Sequence, residues 1–380
     1  MLLLDKDKLG TNSSASVSAR KICIISDREA ISLQIAQLLR TRGLEQIDII
    51  PINFLDENES FKLSAETYVG AIIDIQDTSN IQDVLIRTHS VIPQNLWCCL
   101  VGDNDSISFS QSFAGEGLLY FHSASQLYQM AERIISGVDI PIKRHTVKIT
   151  VLGCKGGIGS SLIAFHLAHR IVNESKVPVL LVQGKGGSQD LDVFCGKKVA
   201  KGEIVEYSEH LDLYRGELSS LNEDIISSYN YIVYDQPIFN IDKEDYPDFL
   251  KISDNFVVVT NRNVASLRVA KSFITELERL KIAEERLIRR FVCISDHHIE
   301  LAKSMSIADI ERLLNTEIDA IVPYVSKTNI KNALMIKFGR RGDKQLKKLT
   351  QSVIGVLSRK YQSRKQQGLR AYLGKLLTGK

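Results

Sequence analysis

No stretch of this chain approaches the roughly 18 apolar residues that a membrane helix requires. The opening MLLLDKDK turns charged after four residues, short of the apolar core of a secretory signal, and predicts a protein that stays in the cytoplasm. There is no C-x-x-C pair. The six cysteines, Cys23, Cys98, Cys99, Cys154, Cys195 and Cys293, lie scattered in or beside apolar runs. That pattern excludes a disulfide framework or a thiolate metal cluster and predicts buried, reduced thiols. His166 and His169, and the pair His297–His298, have no acid or cysteine at metal-ligand spacing, so solvated or helix-surface positions are expected for them. No serine–histidine–acid pattern, internal repeat or long low-complexity tract stands out.

What is present is an ordinary globular composition, 44% hydrophobic and 24% charged over 380 residues, enough chain for two domains. Residues 1–18 are small, polar and aperiodic and read as a flexible leader. From Lys21, β-branched runs (KICIISD, IDIIPI, VGAIIDI, NLWCCLV, GLLYFH) alternate with amphipathic stretches such as EAISLQIAQLLRTRG. That rhythm predicts an α/β domain over 19–138, with a parallel sheet covered on both faces. Gly, Pro and basic residues mark 139–146 as a linker. A second series, KITVLG, PVLLVQ, YNYIVYD, NFVVVTN, RFVCISD and DAIVPY, predicts a six-stranded, doubly wound sheet over 147–357.

Charge is unevenly placed. Residues 337–380 hold 13 Lys and Arg against one acid, Asp343, so this stretch carries +12 of a net +3 and leaves −9 for the rest. The last segment, 358–380, reads as a basic amphipathic tail. Leu369, Tyr372, Leu373, Leu376 and Leu377 make one helical stripe among Arg370, Lys375 and Lys380. Such a helix docks on anionic lipid or in a partner's groove. Gly368 and Gly374 each weaken it by about 1 kcal/mol, and packing on its own domain or disorder remains an alternative.

The sharpest motif is VKITVLGCKGGIGSSLIAFHLAHRI, a strand, a glycine-rich loop and a helix. In a phosphate-binding loop, glycines let backbone N–H groups converge on phosphates at a helix N-terminus. A lysine then grips the β- and γ-phosphates, and the next hydroxyl ligates magnesium. Here KGGIGSS supplies Lys155, Gly156, Gly157, Gly159 and Ser161, but Ser160 stands where the lysine belongs.

The K-G-G-x-G-x-[ST] arrangement resembles the deviant Walker A loop of the MinD/ParA superfamily. By that resemblance Lys155 is the lysine that reaches a partner's phosphates across a nucleotide-sandwich dimer. VLLVQGKGGSQDLDVFCG resembles the family's switch I; Asp190 matches, while Gln183 and Lys185 replace two aspartates. YNYIVYDQP resembles switch II, with Asp235 as the acid of the magnesium shell, so that Ser161 and Asp235 are the metal-side residues if Mg-ATP binds. VASLRVAKSF and IVPY match later segments, whereas VCISDHH lacks the Asn-Lys or Asn-Arg that frames adenine.

Within the superfamily the chain is most similar to the TadZ/CpaE pilus-assembly branch, which places a receiver-like (flavodoxin-like) domain before the P-loop NTPase domain. In the first domain Asp74 stands at the phosphoacceptor place. Asp27 has Arg28 beside it, LVGDN offers no hydroxyl, and LLYFHS puts His122 or its neighbours where a lysine is expected. An atypical, unphosphorylated receiver is therefore expected. The resemblance implies a localisation and assembly factor for a Flp/Tad-type pilus and secretion machine, dimerising through a degenerate P-loop domain with weak or no ATP hydrolysis. ATP with Mg2+ would bind weakly, or no cofactor at all. Expected partners are a second copy, the secretion ATPase and inner-membrane components, and an anionic membrane surface, but not nucleic acid; the expected place is the cytoplasmic side of the inner membrane, at a pole. The competing readings are an active MinD/ParA-type ATPase that positions cargo on membrane or nucleoid, and a phosphorylation-controlled response regulator.

Overall fold

The computed structural model describes residues 20–56, 61, 63–136, 144–253, 255–283, 288–297, 305–325, 336 and 338–355. The expected leader, most of the expected linker, and the tail with Leu369, Tyr372, Leu373, Lys375, Leu376 and Leu377 lie outside the described residues. The chain divides into two units, Met1–His145 and Thr146–Lys380.

In the first unit, strands β1 (Lys21–Ile25), β2 (Ile47–Ile50), β3 (Tyr68–Gln76), β4 (Trp97–Gly102) and β5 (Leu119–His122) are joined through helices α1 (Glu29–Arg40), α2 (Ile81–Val91) and α3 (Ile107–Gly115), and α4 (Leu127–Ser136) follows β5. All pairings are parallel, in the order β2-β1-β3-β4-β5. Alternation within β1 shows why both faces are covered. Cys23 and Ile25 join a core with Val84 of α2 and Phe113 of α3, while Ile22 and Ile24 join Ile35 of α1 and Met130 of α4 on the other face. The order reverses between β1 and β3, and such a reversal opens a crevice at the C-terminal strand ends.

The second unit contains β6 (Val147–Gly153), β7 (Val179–Gln183), β8 (Ile204–Ser208), β9 (Leu211–Arg215), β10 (Tyr231–Pro237), β11 (Asn255–Thr260), β12 (Arg289–Ser295) and β13 (Ala320–Val322). They form one eight-stranded sheet in the order β13-β12-β11-β6-β10-β7-β9-β8. Two of these strands correct the six-stranded expectation. IVEYS and LDLYR are interrupted by charged residues and pair antiparallel as an edge hairpin, so neither shows the continuous apolar run of the buried parallel strands. At that edge the Lys197 ammonium donates to the Glu206 carbonyl of β8.

The helices of this unit are α5 (Ser160–Ser175), α6 (Leu191–Cys195), α7 (Glu223–Ile226), α8 (Tyr246–Ile252), α9 (Val264–Ala283), α10 (Ile307–Leu314) and α11 (Gly339–Val353). Phe165 and Leu167 of α5 and Leu346 and Leu349 of α11 share a core with Ile149, Val151 and Val233 of the strands. Leu250 of α8, Phe273 of α9 and Ile310 of α10 pack with Leu152 and Val258 in another. Because α11 covers α5, His166 is buried and meets the Phe338 ring edge-on at 4.9 Å between centroids. This corrects the surface position expected for it. His169 is half-buried, and burial beside Arg170 and Lys176 lowers its pKa. All six cysteines are buried and free.

Candidate functional site

The glycine-rich loop leaves the end of β6, which lies in the sheet between β10 and β11. Register then decides which side chains meet. Asp235 of β10 pairs with Val151 of β6 on one side and with Gln183 of β7 on the other, so Asp235 and the end of β7 are neighbours. Gly157 and Gly159 take φ of 73° and 84°, left-handed values that side chains resist, and Gly159 directly precedes α5. The turn brings the free N–H groups of a 16-residue helix to the loop, which is where an anion is favoured.

A cleft of about 420 Å³ forms there. The structure brings Lys155, Gly156, Gly157, Gly159, Ser160, Ser161, Asp190 and Asp235 together along it, with Phe194 and Phe239. Lys155 is exposed, and it is the single lysine or arginine among the described residues lining the cleft. Ser160 packs against the strand end, since a Cβ built on Gly153 would stand 2.6 Å from its hydroxyl. Two predicted site residues are placed otherwise. Lys185 is exposed but does not line the cleft, and its backbone N–H donates to Glu217 at 2.9 Å. Gln183 is 1% exposed and is also not among the lining residues.

Gln183 is bonded to one acid and adjoins the other. Its amide nitrogen donates to Asp190 at 3.1 Å, and its oxygen accepts from the N–H of Leu191 at 3.1 Å. Asp235 is the cross-strand neighbour of Gln183, and it lines the cleft with Ser161. Burial raises the Asp235 carboxyl from its ordinary 3.8 to about 6, with the polar Ser161 and Gln183 side chains opposing the rise and repulsion from Asp190 adding to it. Ser188 also donates to Asp190, and Gln189 donates to the carbonyl of Gly184 at 2.6 Å. The cleft wall between β7 and α6 is thus tied down by its own side chains. Among the described residues there is no group of three His, Cys, Asp or Glu side chains placed to hold a metal ion.

In the first unit the acids converge at the crevice beside β1 and β3. Asp74 is buried and accepts from Arg28 Nη2 at 2.6 Å, Arg28 Nε at 2.8 Å, the Ser26 hydroxyl at 2.6 Å and the Gln76 N–H at 3.0 Å. Arg28 Nη1 reaches Asp103 at 2.6 Å, and the Ser123 hydroxyl also donates to Asp103. Asp27 accepts from the Gln76 amide at 2.6 Å, and His122 pairs with Ser125 at 2.9 Å. Both oxygens of Asp74 are therefore occupied by donors of the chain itself.

Several of these residues were not legible beforehand. Ser26, Gln76, Asp103 and Ser123 each sit at or just beyond a strand's C-terminal end, and that position is the signal that finds them. Glu217, which also accepts from Tyr234 at 2.8 Å, and Phe239 carry no sequence mark, because only the fold brings them to this place.

No family model matches the chain, and no curated protein matches it. Among solved structures it is similar to the MinC:MinD cell division protein complex of Aquifex aeolicus, at 22% identity and a TM-score of 0.46, over 55% of this chain and 96% of that one. It is similar to a ParA family ATPase from Chlorobium tepidum, at 19% identity and 0.42, over 54% and 99%. A third is the septum site-determining protein MinD of Pyrococcus horikoshii complexed with Mg-ADP, at 16% identity and 0.40, over 56% and 98%.

Proposed function

We propose that this chain is a scaffold on a phosphate-loop fold that has kept a nucleotide cleft and lost the groups that turn nucleotide over. The observation carrying this reading is the charge content of the cleft. Lys155 is the one lysine or arginine among the described residues that line it, Ser160 packs against Gly153, and a neutral Gln183 is bonded to Asp190 and lies beside Asp235. Phosphoryl transfer depends on cations that neutralise the developing charge, and on a group that positions the nucleophile. A cleft with one exposed lysine holds an anion weakly and catalyses poorly.

The finer reading rests on the sequence resemblance. The chain localises and organises a Flp/Tad-type pilus machine from the cytoplasmic side of the inner membrane, pairs with a second copy, and meets the secretion ATPase and inner-membrane components. The first unit then acts as an unphosphorylated, receiver-like interaction domain. Its strand order and the occupied oxygens of Asp74 support that part. The competing reading is an ATPase cycling on membrane or nucleoid.

ATP turnover and oligomeric state of the purified full chain, measured together, separate the two. A scaffold gives little or no hydrolysis and a dimer. Fast hydrolysis, free of contaminating ATPase and abolished by Lys155→Ala, overturns the scaffold. For the finer reading, Asp74→Asn leaves pilus assembly unchanged.

A further inference from the structure

We propose that the cleft takes its phosphate ligand without a divalent cation, because the Gln183 amide stands between Asp190 and Asp235 in the role a metal would have. This rests on the reading of the cleft as a nucleotide site. Two carboxylates held close in a buried place repel one another unless something positive lies between them. Here that something is an N–H group. The Gln183 nitrogen donates to Asp190 at 3.1 Å, and register sets Gln183 beside Asp235 on the neighbouring strand. Its rotation is fixed, because the N–H of Leu191 claims the amide oxygen at 3.1 Å. The oxygen therefore faces Leu191, and the N–H groups face Asp190.

A magnesium ion requires about six oxygen ligands near 2.1 Å in close to octahedral geometry. Between these acids it would meet amide hydrogens instead. Asp190 is further committed to Ser188, and Asp235 is buried beside Gln183 at the end of its strand. What remains for a ligand is the N-terminal end of α5 and Lys155, which contact phosphate oxygens directly. Gln183 is thus a positioning residue that sets the cation requirement, not a catalytic one.

The test titrates the full chain with ATP by calorimetry, in excess Mg2+ and again in excess EDTA. The wild type is expected to bind with affinities within about threefold in the two conditions, and Gln183→Asp to bind at least about tenfold more tightly with Mg2+ than without, a difference near 1.4 kcal/mol. A wild-type affinity that drops about tenfold or more in EDTA overturns the inference. A second arm needs no nucleotide: Mn2+ is titrated and followed by electron paramagnetic resonance. Wild type leaves Mn2+ free, and Gln183→Asp binds it. Mn2+ bound by the wild type and released by Asp190→Asn overturns the inference. If ATP binds in neither condition, the nucleotide reading of the cleft falls, and the Mn2+ arm still decides the role of Gln183. If Gln183→Asp does not fold, both wild-type measurements decide it alone.

Discussion

Arg28 grips Asp74 through two parallel hydrogen bonds, Nη2 to one carboxylate oxygen at 2.6 Å and Nε to the other at 2.8 Å. The side chain of Asp74 is 1% exposed and that of Arg28 is 29% exposed, so the pair sits at the lip of the crevice with its acid inside. Attraction to Asp74 and Asp103 raises the Arg28 pKa further above its ordinary value, against the opposing effect of burial. Removing one member of a buried pair leaves the other charge stranded, at a cost of about 3–5 kcal/mol. Arg28→Ala is expected near the lower end of that range, since Arg28 stays partly in water. Arg28→Ala/Asp74→Asn is expected to recover much of the loss. Urea midpoints of the wild type, Arg28→Ala, Asp74→Asn and the double variant check this, and a fully additive double variant would show that the pair does not act as a unit.

The same pair predicts that acetyl phosphate leaves no label on Asp74. Each of its oxygens already accepts two hydrogen bonds within the chain. Mass spectrometry of the treated full chain reads the outcome directly, and a phosphorylated Asp74 would return the first unit to the response-regulator class.

Asp235 makes stability depend on pH. The folded protein holds its proton up to about pH 6, whereas an ordinary aspartate releases it at 3.8. Between those values the folded state binds more protons than the unfolded one, so stability falls as pH rises from about 4 to about 6 and is level above, by about 3 kcal/mol in all. Asp235→Asn removes that slope. Thermal or urea unfolding of both proteins across pH 3.5–7.5 compares them, and parallel profiles would refute the assignment. Anion affinity at the cleft is expected to rise over the same interval on acidification, as the negative charge beside the ligand is lost.

Ser160→Lys restores the missing cation. A hydrogen bond to a charged group contributes about 1.5–3 kcal/mol, so ATP is expected to bind roughly 10- to 150-fold more tightly. Turnover is expected to stay low, because Gln183 and Lys185 stand where the sequence resemblance implies acids. Lys155→Ala weakens any ATP-dependent dimer. Binding by calorimetry and hydrolysis by phosphate release check the two halves separately; brisk hydrolysis by Ser160→Lys would mean that one lysine was all that was missing.

Deleting residues 368–380 is expected to disperse the protein in the cell. Binding of the full chain to anionic vesicles should weaken as salt rises, since exposed charges are screened within about 10 Å at 0.1 M. Localisation that survives the deletion removes the tail from the account.

The buried parallel strands were legible because they are continuous apolar runs, and KICII, VLLVQ and NFVVVT all became strands. The glycine-rich loop was legible because Gly157 and Gly159 mark a backbone that only glycine adopts readily. The edge hairpin was not, because IVEYS is half in water and carries the alternation of an outer strand. His166 was misplaced because its environment is made by α11, far along the chain. Gln183 was visible because the sequence resemblance implies an aspartate at its place. What it does instead follows from register, which sets it beside Asp235, and from a turn that returns Asp190 to it.

The hairpin at the sheet's margin also bears on solubility. A terminal strand presents carbonyl and N–H groups that a further strand can claim, and sheets that leave them bare grow by accretion. On β8 the carbonyl of Glu206 is already taken by the ammonium of Lys197, and a lysine cannot be extended into another ladder. Lys197→Ala, far from the cleft in chemistry though not in sequence, would therefore leave folding energy almost untouched while making concentrated protein prone to side-by-side association.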